Sequence, residues 1–311
     1  MKATNVQLGP NGSPLNRPSS LEDVLRKDFY EKKHVIKMSE VELEPVRGHE
    51  GVRTGWYDFG SQVVAWGLTE MNPGSAGPMH RQLCESTMIV LEGAGYTVVN
   101  GRRFDWKKGD VLFVPLFAWH QHFNTGQGVA RYARMSTAPV YKFFGIFREE
   151  NLSPPSSWDS ADEQTGPLGK VILKYEDGLG RDTWEKSRDG QTVTFDFKYR
   201  IPTTPRVPSR IQPGESGGMH RHASEAQIFI YQGKGFSTLN EKRVAWEAGD
   251  VVRVPLFAWH QHTNTGNEPA IWLKHTSAAL YKQMGLLMRD ARPGFSGEDD
   301  IAVFKDDFKP Y

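Results

Sequence analysis

The chain has 311 residues, with 38 Lys and Arg against 37 Asp and Glu, for a formal net charge of +1. That length accommodates about two domains. The balanced charge excludes the basic footprint of a nucleic-acid binder and the polybasic patch that draws a protein to an anionic membrane. The 31 glycines and 19 prolines point to a turn-rich all-β protein, and nine tryptophans suggest aromatic-lined pockets or interfaces. The single cysteine, Cys84, rules out an internal disulfide and fits a reducing compartment.

Residues 1–20 are polar and rich in Gly, Pro and Asn, without the apolar run or cleavage pattern of a signal peptide. No stretch of the sequence is long and apolar enough to span a membrane, so a soluble, cytoplasmic protein is expected. Ser19-Ser20-Leu21-Glu22-Asp23 offers a capping box, which predicts a short helix over about residues 20–32. From Met79 the chain reads MHRQLCESTMIVLEGAGYTVVNGRRFDWKKGDVLFVPLFAWHQH. From Met219 it reads MHRHASEAQIFIYQGKGFSTLNEKRVAWEAGDVVRVPLFAWHQH. The copies align without a gap from Met79/Met219 to Gly126/Gly266, so one structural unit is used twice.

Within the first copy, residues 88–91, 95–99 and 111–114 predict short strands, and Asn100-Gly101 is a hairpin turn signal. Residues 228–231, 235–239 and 251–254 repeat the series. The tails YKFFGIFREE and YKQMGLLMRD predict short amphipathic helices closing each unit. Between the copies, 151–190 opens with the polar SPPSSWDSADEQTGP and reads as a linker with one strand near 170–175. The expected organisation is a tail and helix over 1–45, a first barrel over 46–150, the linker, and a second barrel over 191–311.

The chemistry concentrates in the second copy. His220 and His222, two apart on a strand, face the same side. His260 arrives on a later strand, after Gly249-Asp250 and Pro255. Three neutral imidazoles make a facial metal site with open positions, and the residue set alone suits Fe, Cu, Ni or Zn. His262 shares the face of His260, either to hydrogen-bond bound substrate or oxygen, or as a core histidine on a backbone carbonyl. In the first copy His80 and His120 remain, but Gln82 stands at the middle position. An amide oxygen is a weak ligand for such a metal, so this barrel is expected to carry a degenerate site. Cys84 aligns with Ser224 and is expected to be a small buried side chain.

These residues resemble the two cupin motifs. Gly214, His220, His222 and Gly233 match the first; Gly249, Pro255, His260 and Asn264 match the second, with Phe257 in place of its inner glycine. The resemblance implies a bicupin, two tandem jelly-roll β-barrels with short flanking helices. The glutamate that many cupins use as a fourth ligand is missing, since Ala226 or Gln227 occupies its position and Glu225 is one residue off.

The chain is similar over about residues 50–150 and 190–292 to gentisate 1,2-dioxygenases and their relatives, which also lack that glutamate. The matching pieces are Gln212-Pro213-Gly214-Glu215, HRH at 220–222, WHQH at 259–262 and GLLMRD at 285–290, with Tyr199-Arg200 on the approach. That resemblance implies Fe(II), with Mn, Ni, Cu or Zn also compatible, and a homo-oligomer, dimer or tetramer. It implies an aromatic substrate that chelates through a carboxylate and an ortho hydroxyl, and ring opening with O2 between the two carbons bearing them. Ring-cleaving relatives often place a carboxylate-gripping arginine where this chain has Ile228 and Met88. Arg253 or Arg210 is the expected substitute if either faces the barrel interior. Two other readings keep the same metal site: oxidative cleavage of a β-diketone or other chelating enol, and a metal- or ligand-binding bicupin without turnover.

Overall fold

The computed structural model describes residues 27–152, 171–186, 192–194 and 206–291. The capping box at 19–23, the SPPSSWDSADEQTGP segment and Tyr199-Arg200 lie outside them. Two compact units are distinguished, Met1–Lys32 and Lys33–Tyr311. In the first, residues 27–31 are helical, and Lys32 pairs with Asp28 one turn earlier at 3.0 Å. No helix among the described residues is long and apolar enough to cross a membrane.

Each repeat folds into a seven-stranded and a five-stranded antiparallel sheet. In the first copy the larger sheet is ordered Ile172–Leu173, Val111–Val114, Ser86–Glu92, Ala130–Ser136, Ala65–Met71, Val52–Tyr57, Glu44–Pro45. The smaller is ordered Glu149–Leu152, Met79–Gln82, His120–Asn124, Ala94–Val99, Arg102–Lys107. The second copy repeats both orders. The six short strands expected from the sequence all lie inside observed strands. Asn100 and Gly101, at φ 45° and 81°, make the tight turn between Ala94–Val99 and Arg102–Lys107.

Period-2 alternation divides each large sheet between two cores. Met88, Val90, Leu112 and Val114 pack inside the first barrel with Trp106 of the small sheet. Their neighbours Ile89, Val111 and Phe113 face the other way, into a core shared with Phe229, Val251, Ile271 and Leu273 of the second copy. At its centre the Trp66 and Phe229 rings stack at 5.0 Å. Covering both faces makes the strands continuously apolar, which is why all four residues of Val111–Val114 and of Val251–Val254 are buried.

The two copies also exchange strands. Val35–Ile36 pairs with Val252 and Val251 of the second barrel, and Ile172–Leu173 pairs with Leu112 and Val111 of the first. Each exchanged strand is clamped by a buried aspartate. Lys37 and the Met38 N–H meet Asp250 at 2.6 and 3.2 Å; Lys174 and the Tyr175 N–H meet Asp110 at 2.9 and 2.8 Å. The exchange crosses the boundaries expected at 45/46 and within 151–190. The strand foreseen at 170–175 is real, but it is short and its partner is the first barrel.

The tails differ from the expected closing helices. Helices cover only Ala138–Phe143 and Ala278–Gln283, and Gly145 and Gly285, at φ 70° and 69°, stop them. The chain then re-enters the small sheets as Glu149–Leu152 and Arg289–Ala291. The ion pairs Arg81–Glu150 and Arg221–Asp290 fasten those strands to their neighbours. The apolar periodicity of the tails runs into a turn whose side chains, such as Phe144 and Met284, are exposed.

Candidate metal centre

His220–His222 is a short strand between His260–Asn264 and Arg289–Ala291. His220 pairs directly with His260, so their side chains share a face, and alternation returns His222 to it. The ring centroids lie 4.2 Å apart for His220 and His260, and 4.8 Å for His222 and His260. One ring nitrogen from each falls within 4.8 Å of the others. This is the one cluster of three or more His, Cys, Asp or Glu arranged to hold an ion among the described residues.

Hydrogen bonds settle which nitrogens face the centre. The Nδ1 atoms of His220, His222 and His260 lie 2.9, 2.6 and 2.8 Å from the carbonyl oxygens of Gly218, Ser224 and Ala258. A carbonyl only accepts, so each Nδ1 carries the proton and each Nε2 keeps its lone pair. Burial pushes the His260 imidazole down to about 4 and holds His220 and His222 well below their usual value. All three are therefore neutral at pH 7, as metal binding requires. The donor set fits a divalent transition-metal ion. Among the described residues no carboxylate joins it: Ala226 is the inward residue, and Glu225 lies 3.6 Å from Arg253. Gln227, one residue past Ala226, donates to the Val64 carbonyl of the first copy at 3.0 Å.

The turn before His260 is tied to the site, since the Phe257 N–H donates to the His222 carbonyl at 2.9 Å. Phe257 adopts φ 55°, the left-handed conformation that a glycine takes without strain, at a cost of about 1–2 kcal/mol. The side chain departs from the motif while the backbone keeps it.

Neither arginine expected to bind substrate reaches the centre. Arg253 alternates with Val252 and Val254 and shares the face of Val251, so it points into the core between the barrels, where it meets Glu225. Arg210 stands opposite Ile271, another residue of that shared core, and its guanidinium lies 4.8 Å from the Trp184 ring. Both are thus corrected to the outer face of the large sheet.

His262 lies inside the barrel but outside the three-imidazole cluster. Its Nδ1 is 2.7 Å from Ser237 Oγ, which accepts from Trp246 Nε1–H at 3.0 Å, and its ring is 5.5 Å from Trp272. Gly235 makes room for Trp246, since a Cβ there would fall 2.7 Å from the indole. The first barrel builds the same assembly from His122, Thr97 and Trp106, at 2.7 and 3.0 Å. A device present in both barrels fits scaffolding of the interior better than a catalytic role.

Two charged residues escaped the sequence reading. Lys274 stands opposite Ile228, which in turn stands opposite Val252, so all three face the barrel interior. Arg289 stands opposite His222. Counting in twos from Trp272, and extending the gapless repeat to Arg134, would have found Lys274. Arg289 depended on recognising the second tail as a strand.

In the first barrel the His80 and His120 rings approach to 4.1 Å, as in the second, but Gln82 replaces the third imidazole. Cys84 is fully buried, 3.5 Å from Ser136 Oγ, and burial pushes its thiol up to about 11. That is the inert, space-filling cysteine expected.

The cupin domain family matches residues 67–136 and 209–275. The chain is 39% identical to a gentisate 1,2-dioxygenase of Aquipseudomonas alcaligenes, over 70% of this chain and 71% of the relative. It is 23% identical to a 5-aminosalicylate 1,2-dioxygenase of Comamonas, over 74% of this chain and 70% of the relative. Among solved structures, salicylate 1,2-dioxygenase of Pseudoaminobacter salicylatoxidans superposes with TM-score 0.70, covering 93% of this chain and all of that one. Their sequences are 16% identical, so this likeness shows the shared bicupin fold. The chain belongs to the gentisate 1,2-dioxygenase-like family of cupins.

Proposed function

We propose that the protein is an Fe(II)-dependent dioxygenase that opens the ring of an aromatic hydroxy acid with O2 at His220, His222 and His260. The observation that carries this reading is the trio of neutral imidazoles, each with Nδ1–H on a backbone carbonyl and, among the described residues, no carboxylate in the cluster. Bound there, iron would supply the redox chemistry that O2 needs to react with a closed-shell ring, with open positions for a chelating substrate and O2. The carbonyls of Gly218, Ser224 and Ala258 keep the three rings aimed. Ile228 and Val252 form a dry wall of the barrel beside them. The bond broken is the one between the carboxyl-bearing and hydroxyl-bearing carbons, and both oxygen atoms enter the product.

A cation lining the second barrel separates an acidic substrate from a neutral β-diketone, and Lys274 and Arg289 favour the acid. The family membership also supports a homo-oligomer, dimer or tetramer, for which Phe143, Phe144, Met284 and Leu286 supply exposed apolar surface. A cytoplasmic setting fits the lone, buried Cys84. Oxygen uptake by Fe(II)-loaded protein with gentisate, salicylate, 5-aminosalicylate and aminophenols tests the activity. Uptake with one of the acids, lost in His222→Ala, supports it; no uptake with any of them overturns it.

A further inference from the structure

The geometry points to Lys274 and Arg289 as the anion clamp of the second barrel, holding the acid group of the substrate beside the three imidazoles. This rests on the reading of that site as one for an aromatic acid. The strand Ala270–Thr276 sorts its side chains by alternation. Ile271 and Leu273 enter the core between the barrels, and His275 lies 4.9 Å from Trp66 there. Trp272 and Lys274 take the opposite face, and Trp272 reaches the His262 ring at 5.5 Å. Lys274, one turn of the pleat beyond Trp272, is half-buried. Arg289, on the edge strand directly across from His222, is half-buried too.

Register places both beside the three rings: Arg289 is the cross-strand partner of His222, and Lys274 is the cross-strand partner of Ile228, which lines the barrel opposite Val252. A neutral ligand set flanked by two cations suits a substrate carrying a carboxylate and an ionised hydroxyl.

The first barrel shows what the clamp is not. Arg134, at the position of Lys274, donates to Thr54 at 2.9 Å and Thr69 at 3.3 Å and lies over the Trp56 ring at 3.8 Å. Glu149, at the position of Arg289, stands opposite Gln82. There the cation is built into the wall by two threonines and a tryptophan, and the second position carries a carboxylate in place of a cation.

The test measures equilibrium binding without turnover. Iron-loaded protein under nitrogen is titrated with salicylate and with the uncharged salicylamide, read by tryptophan fluorescence. Losing a charge-assisted contact costs about 10-fold or more in affinity. Lys274→Met and Arg289→Gln are expected to weaken salicylate by about 10-fold while salicylamide changes by less than about 2-fold. Lys274→Arg restores salicylate binding, and iron content stays the same. Wild-type protein that shows no preference for salicylate, or variants that weaken both ligands equally, overturn the clamp. Charge-dependent binding with no oxygen uptake on any acid leaves the clamp standing and overturns the dioxygenase reading instead.

Discussion

The two barrels are built alike and end in different chemistry. Both pair two histidines at about the same separation, with ring centroids 4.1 Å apart in the first and 4.2 Å in the second. Both brace a deeper histidine with a hydroxyl and a tryptophan. They part in ligand and charge at Gln82 against His222, Arg134 against Lys274, and Glu149 against Arg289. One barrel has three clustered imidazoles, a lysine and an arginine at these positions; the other has two imidazoles, an arginine and a glutamate. A duplicated scaffold can therefore keep its core and vary its charge, because the inner face of a strand is addressed one residue in two.

The largest break in this comparison should come from the third imidazole. His222→Ala is expected to reduce oxygen uptake to background. It should weaken iron binding by more than the ~10–100-fold lost when a ligand's hydrogen-bond partner is removed. His120→Ala in the first barrel should leave iron at one per chain, as read by metal analysis. Equal loss in both variants would contradict the assignment of function to one barrel.

Arg253→Met tests the corrected placement of that arginine. It strands Glu225 in the core between the barrels and should cost about 3–5 kcal/mol in urea unfolding. KM for the acid should not change, because the side chain faces away from the imidazoles. A raised KM at unchanged stability would return Arg253 to the site.

Acid should destabilise the metal-free protein through histidines of both barrels. Burial holds His122 down to about 3 and His260 down to about 4, whereas unfolded histidine titrates near 6.5. Between those values the unfolded chain binds more protons, so stability is full above about pH 7 and falls as pH drops toward 4. The expected loss at pH 4.5 is of the order of 2 kcal/mol for each such histidine. Thermal midpoints at pH 7.5, 5.5 and 4.5 check the sign; a flat profile would contradict it.

The smallest change sharpens the comparison most simply. Gln82→His gives the first barrel its third imidazole opposite Glu149. Iron should rise from one toward two per chain, without added uptake on the acid, because Arg134 is held by Thr54 and Thr69. Unchanged stoichiometry in a folded variant would show that more than Gln82 disables that barrel.

Much of the site was legible because it is local. His-x-His on a strand, the turn into His260 and the missing glutamate need only spacing and alternation to interpret. The outer faces were not legible. Val251, Val252, Arg253 and Val254 are all buried, so hydrophobicity could not say which side each took; the second barrel's partner surface decides it. Lys274 is the one half-buried residue of the otherwise buried run AIWLKHT, where a lone lysine looks like an edge. The exchanged strands Val35–Ile36 and Ile172–Leu173 are two residues long and pair with residues distant in sequence, so no window reveals them. The tails misled because Phe144 and Ile146, like Met284, Leu286 and Met288, extend the apolar pattern of the helices past their ends at Phe143 and Gln283, onto exposed segments.

The most direct test is anomalous scattering at the iron edge from crystals of the iron-loaded protein. One peak bounded by His220, His222 and His260, with none between His80 and His120, is the predicted result. A peak of equal height in the first barrel, or none in the second, would contradict it.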